Sequence, residues 1–120
     1  MAIKNKTSVN PFTTKTGEKI YQLVGRLEKN GDSKGHSLAI VEITPNRSSE
    51  SHRHGISEES FYFLRGCGEM HLNDQILNVQ EGDLIFVKPG DRHQIYNRGD
   101  VLLEYLVVTA PAWEPADSFE

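Results

Sequence analysis

Short apolar runs separated by turn residues fill the chain from about Ile20 to Ala110. They predict strands at Ile20–Glu28, His36–Thr44, Glu59–Arg65, Glu69–Leu72, Ile76–Val79, Leu84–Lys88, Gln94–Asn97 and Leu102–Thr109. Between them stand Asn30-Gly31-Asp32, Pro45-Asn46, Gly66-Cys67-Gly68, Asn73-Asp74, Glu81-Gly82-Asp83, Pro89-Gly90-Asp91 and Arg98-Gly99-Asp100. Turn chemistry recurring about every 8–12 residues is the mark of an all-β sandwich or barrel. No dozen residues carry a 3.6-residue apolar period, so helices are not expected. Phe61–Leu64 and Leu102–Val108 are apolar at successive positions. Such strands place one face on a core and the other on a second sheet or subunit. Residues 1–19 read as a polar arm or first strand, 20–110 as the barrel, and 111–120, with Pro111 and Pro115, as a tail that cannot be regular helix.

Composition narrows this to one domain. The 120 residues can hide roughly two thirds of their unfolded surface, enough for one core. A formal charge of −4, from 13 basic and 17 acidic residues, gives no broad attraction for nucleic acid or anionic membrane. The single cysteine, Cys67, excludes an intrachain disulfide framework. Runs such as Leu84-Ile85-Phe86-Val87 are far too short to span a membrane as helix, and Met1 to Lys6 lack the apolar stretch of a signal peptide. The expectation is a cytoplasmic domain.

Chemistry gathers around three of the five histidines. His52 and His54 are two residues apart, so on a strand they share a face about 7 Å apart at the backbone. Glu59 opens the next strand, and His93 opens another after the Pro89-Gly90-Asp91 turn. Imidazoles with one carboxylate suit Fe(II), Mn(II), Ni(II), Zn(II) or Cu(II).

The run His52-Arg53-His54-Gly55-Ile56-Ser57-Glu58-Glu59, with Gly66 six residues on, resembles the first motif of the cupin superfamily, G-x5-H-x-H-x(3,4)-E-x6-G. Gly82 to His93, reaching Asn97, resembles the second, G-x5-P-x-G-x2-H-x3-N. Two positions depart: Asn46 stands where the first motif begins with glycine, and Lys88 where the second has its first proline. The resemblance implies a single-domain double-stranded β-helix, a jelly-roll barrel. It also implies one divalent transition metal (Fe, Mn, Ni or Zn) held by His52, His54, Glu59 and His93, and a homodimer paired through its sheets. Glu58 also fits the spacing after His54, but counting back from Gly66 selects Glu59, which shares a strand face with Phe61 and Phe63.

Other residues read more plainly. His71, between Met70 and Leu72, points outward with Glu69; His36 and Cys67 read as an exposed imidazole and a turn thiol. Asn97 holds a turn, and Tyr62 and Tyr96 oppose the ligand face. Arg92 and Gln94 flank His93 and Tyr105 lies in the last strand, which makes these three the candidates for contact with a substrate. Trp113 packs on the barrel, enters a partner subunit or covers the metal.

A metal with open positions, walled by Phe61, Phe63 and Ile95, points to an enzyme acting on a small polar molecule. The resemblance implies, as the chemistry, Fe(II)-dependent dioxygenation or metal-assisted isomerisation, epimerisation or lyase activity. The alternative is a non-catalytic module that binds a small ligand or metal chelate as a sensor.

Overall fold

The computed structural model describes residues 3–26 and 33–120. The expected strand end at Glu28 and the turn at Asn30-Gly31-Asp32 lie outside the described residues.

The chain folds as β1 (Phe12–Thr13), β2 (Glu18–Val24), β3 (Ser37–Ile43), β4 (Arg53–His54), β5 (Glu58–Arg65), β6 (Cys67–Leu72), β7 (Gln75–Gln80), β8 (Leu84–Val87), β9 (His93–Tyr96), β10 (Leu103–Ala110) and β11 (Ser118–Phe119). Among the described residues, helical structure is confined to 3-10 turns at Lys6–Ser8 and Pro115–Asp117. None is long and apolar enough to cross a membrane. The expected strands appear within a few residues of their predicted ends. β1 falls in the segment read as an arm or first strand, while β4 and β11, too short to carry a period-2 signal, are not foreseen.

A six-stranded sheet in the order β1-β2-β3-β10-β5-β8 faces a three-stranded sheet, β7-β6-β9, while β4 pairs with β11. All pairings are antiparallel. The crossovers come from non-local pairing: β10, late in the chain, inserts between β3 and β5. This is the double-stranded β-helix, in a single domain.

Alternation decides what each strand buries. On β5, Glu59, Phe61 and Phe63 point inward, and Tyr62 and Leu64 outward. Ile43, Phe63, Met70 and Leu103 are fully buried at the centre; each such side chain contributes about 1.5–3 kcal/mol over leaving it in water. Outside, the register sets Tyr21, Ile40, Leu106, Tyr62 and Leu84 in one row across five strands. Tyr62, Leu64, Leu84 and Phe86 remain exposed at the β8 end of that face.

The motif glycines sit where the backbone needs them. Gly66, Gly82 and Gly90 have φ of 82°, 92° and 88°, values that a Cβ disfavours. Asn46, at the departing position, has φ 66°. Asparagine tolerates the left-handed region better than most residues, so the departure preserves the turn.

Candidate metal centre

Four side chains from distant segments meet inside the barrel. His52 forms an isolated bridge with His93, His54 lies on β4, Glu59 is the second residue of β5, and His93 begins β9. One ligand atom from each lies within 4.8 Å of the others. His54, Glu59 and His93 are buried, and His52 is partly so. The other carboxylate considered, Glu58, is exposed on the opposite face of β5.

Hydrogen bonding fixes how the rings are presented. The Nδ1 atoms of His52, His54 and His93 lie 3.0, 3.1 and 3.1 Å from the backbone carbonyls of Glu50, Asp117 and Asp91. A carbonyl only accepts, so each Nδ1 donates, and each neutral ring keeps its lone pair on Nε2. Nε2 of His54 and of His93 stand 3.2 and 3.0 Å from Glu59 Oε1, and these three buried atoms have no hydrogen-bond partner. Lone pairs aimed at a carboxylate oxygen at that distance repel unless a cation lies between them. The donor set therefore fits a divalent transition ion, with Thr109 Oγ1 donating to Glu59 Oε2 at 2.7 Å to steady the carboxylate.

The electrostatics agree. Burial acts against a charge on Glu59, but the imidazoles of His54 and His93 beside it outweigh burial and hold the carboxyl well below its usual range. Burial pulls His52 down to about 4, keeping that ring neutral. For His54, burial is outweighed by Glu59, which raises its affinity for a proton.

Beside the cluster lies a cavity of about 360 Å³. Phe61 lines it and packs its ring 5.5 Å from that of His93. Tyr105 is buried on the inner face of β10 with its hydroxyl directed at Glu18 Oε2, 3.5 Å away. Of the three candidates for substrate contact, Tyr105 lines the cavity and the other two do not. His93 and Ile95 take the inward positions of β9, so Gln94 points out, where its amide donates to Ser49 O. Arg92 is exposed and donates to Glu120 O. Ile95 and Phe63 belong to the core rather than to the cavity wall.

His71 pairs outside with Glu69 and packs its ring, tilted by 55°, against Tyr96; Asn97 is buried and donates to Ile43 O and Val101 O, closing its turn. Cys67 is exposed.

Sequence reasoning missed two features. Glu18 opens β2 and faces inward with Ile20 and Gln22. Desolvation pushes its carboxyl up to about 7. Glu18-x-Ile20-x-Gln22 shares one strand parity, a signal that was available but polar. The second is the reach of the tail beyond Trp113, for which a place on the barrel or over the metal is among those expected: Pro115 and Phe119 line the cavity with it. Asp117 accepts backbone hydrogen bonds from Gly55, Ile56 and Ser57 at 2.8–3.0 Å.

Residues 39–109 match the cupin domain family. An uncharacterized protein of Methanocaldococcus jannaschii is 32% identical over 110 residues, 92% of this chain and 86% of that one. An oxalate-binding protein of Thermotoga maritima is 33% identical over 76 residues, 63% of each chain. Among solved structures, the nucleoside dehydratase Pac13 of Streptomyces superposes with a TM-score of 0.79 at 18% identity, covering 99% of this chain and 89% of that one. At that identity the likeness shows the fold.

Proposed function

The chain belongs to the cupin family, and from that premise we propose that it is a divalent-metal-dependent enzyme acting on a small molecule held in the barrel. The observation that carries this reading is the convergence of one ligand atom each from His52, His54, Glu59 and His93 within 4.8 Å, with the buried Nε2 atoms of His54 and His93 and Glu59 Oε1 left without hydrogen-bond partners. His52, His54, Glu59 and His93 would hold the ion, with Fe, Mn, Ni and Zn all suited to the donors. Such an ion supplies Lewis acidity toward a bound oxygen.

The chain's own residues favour proton transfer over dioxygenation. Glu18, with a carboxyl poised at about 7, can hold or release a proton near neutral pH. Tyr105, whose own proton burial holds firmly, stands beside it as a hydrogen-bond donor. Phe61, Trp113 and Phe119 supply apolar wall beside these two groups. Isomerisation, epimerisation or an elimination by a lyase uses such a group; activation of dioxygen does not require one.

The test is incubation of metal-loaded protein in D2O with a panel of small hydroxy acids, ketoses and nucleosides. Deuterium incorporation is read by mass spectrometry, and oxygen uptake in parallel. Deuterium uptake that Glu18→Gln abolishes supports the reading; oxygen uptake with no deuterium exchange assigns the dioxygenase chemistry instead. The name of the Thermotoga relative favours a second reading, a module that binds without turnover. It predicts saturable binding with neither signal.

The exposed apolar end of the outer sheet face supports a homodimer, with two copies covering Tyr62, Leu64, Leu84 and Phe86.

A further inference from the structure

We propose that the cavity selects an uncharged or cationic, ring-bearing oxygen ligand and rejects small dianions such as oxalate. This rests on the metal-dependent reading and names the substrate class for the same site.

The charge inventory is one-sided. Glu18, Glu50, Glu59 and Glu120 line the cavity, and among the described residues no lysine or arginine does. The nearby arginines stand behind the lining, each engaged with a lining residue: Arg92 donates to Glu120 O, and the Arg53 guanidinium lies over the Phe119 ring, 5.1 Å from its centroid. Two charges of a divalent ion are already offset in part by Glu59. A dianion reaching the ion would then face Glu50, and Glu18 wherever it is ionised, with no guanidinium or ammonium lining the cavity to receive its second carboxylate. Like charges a few ångströms apart repel, and specificity built this way works by repulsion as much as by attraction.

The rest of the wall is aromatic. Phe12 and Phe119 are about two-fifths exposed (41% and 44%) although both border the cavity, and Trp113 forms a further part of the lining. Exposed rings at the mouth of a concave site are covered favourably by an apolar ring face. The volume, about 360 Å³, lies at the small end of the roughly 300–1,000 Å³ typical of small-molecule sites. Glu18 can accept a hydrogen bond from a ligand hydroxyl or amine, or donate one when protonated. The matching molecule has a planar or near-planar ring, hydroxyl groups, and an oxygen free to reach the ligand cluster.

Trp113 is the sole tryptophan of the chain, so its indole N–H resonance reports occupancy of the cavity. Zn(II)-loaded protein and metal-free protein are each titrated at pH 7 with three uncharged ring-bearing probes (uridine, maltol and catechol) and with oxalate and malonate. Binding is followed by calorimetry and by the Trp113 signal. At least one ring-bearing probe should shift that signal and bind about tenfold or more tighter than either dianion, a gap set by charge repulsion. Glu18→Gln and, separately, Glu50→Gln should narrow the gap by admitting the dianions. Dianions that bind the wild type as tightly as every ring-bearing probe, or a Trp113 signal unmoved by all three rings, would overturn the proposal. Protein that takes up no Zn, Ni, Mn or Fe defeats the metal-dependent reading instead, and the metal-free titration then decides the ligand class on its own.

Discussion

His54 Nδ1 lies 3.1 Å from the backbone carbonyl of Asp117, 63 residues further along the chain. The same aspartate clamps, through its carboxylate, the three amides of Gly55, Ile56 and Ser57 that lead from His54 to Glu59. One residue of the tail thus fixes the tautomer of one candidate ligand and the loop that joins it to another. Pairing of Ser118 with His54 in β11–β4 holds the tail in register.

If the tail orients the ligands, Asp117→Ala or removal of residues 113–120 should weaken metal binding by about 10–100-fold, as loss of outer-sphere support does elsewhere. Chelator competition on Zn(II)-loaded protein measures this, with circular dichroism to check that the β fold persists. Asp117→Asn, which retains one carboxamide oxygen as acceptor, should recover part of the loss. An affinity equal to wild type in the truncated protein would separate the tail from the metal centre.

The ligand assignment is tested by alanine scanning. His52→Ala and His93→Ala should lose most bound metal and most of the rise in melting temperature that added metal gives wild type. His71→Ala, which removes an outward ring paired with Glu69, should change neither. Acid should release the metal from wild type, because protons compete for the Nε2 lone pairs. Metal retained by His93→Ala but lost by His71→Ala reverses the assignment.

Glu18 couples stability to pH. Its carboxyl titrates at about 7 when folded against 4.5 for the ordinary group. The folded state therefore binds the proton more tightly, and this contribution is fully present below pH 4.5 and lost as pH rises through 7. Each pKa unit is worth about 1.4 kcal/mol, so the swing is on the order of 3 kcal/mol. Glu18→Gln, neutral at every pH, should match wild type near pH 4.5 and exceed it by about that amount at pH 8. Urea denaturation of both proteins at the two pH values, without metal, makes the comparison. No gain at pH 8 would mean that the carboxylate is better solvated than its burial indicates.

Wild-type protein should sediment as a dimer, and Leu84→Lys combined with Phe86→Lys should sediment as a monomer. Both side chains are exposed on the outward face of edge strand β8, where charge leaves the fold intact and disfavours pairing. A wild type that is monomeric at micromolar concentration removes the dimer from the proposal.

Two backbone positions should respond oppositely. At Gly66 an added Cβ would stand 2.5 Å from Leu102 O at φ +82°, so Gly66→Ala should cost about 1–3 kcal/mol or more. Asn46→Gly should change stability by less than about 1 kcal/mol, since the left-handed backbone at Asn46 suits both residues. Thermal denaturation distinguishes them.

The strands, the all-β class and the spacing of His52, His54, Glu59 and His93 were determined by the sequence itself, because period-2 alternation and turn chemistry act over a few residues. Counting back from Gly66, with strand parity in support, also directed Glu59 inward and Tyr62 outward. What the local pattern could not carry was the placement of segments far apart in the chain. Glu18 reads as the end of a polar N-terminal segment until β2, which begins at it, pairs with β3 and turns it into the cavity. Gln94 reads as a neighbour of a ligand until the pleat of β9 sends it outside. Asp117, in a Pro-rich tail without periodicity, gains its role only when β11 docks on β4. Those assignments depend on contacts across tens of residues, whose register is set by burial of the whole barrel rather than by any short stretch of it.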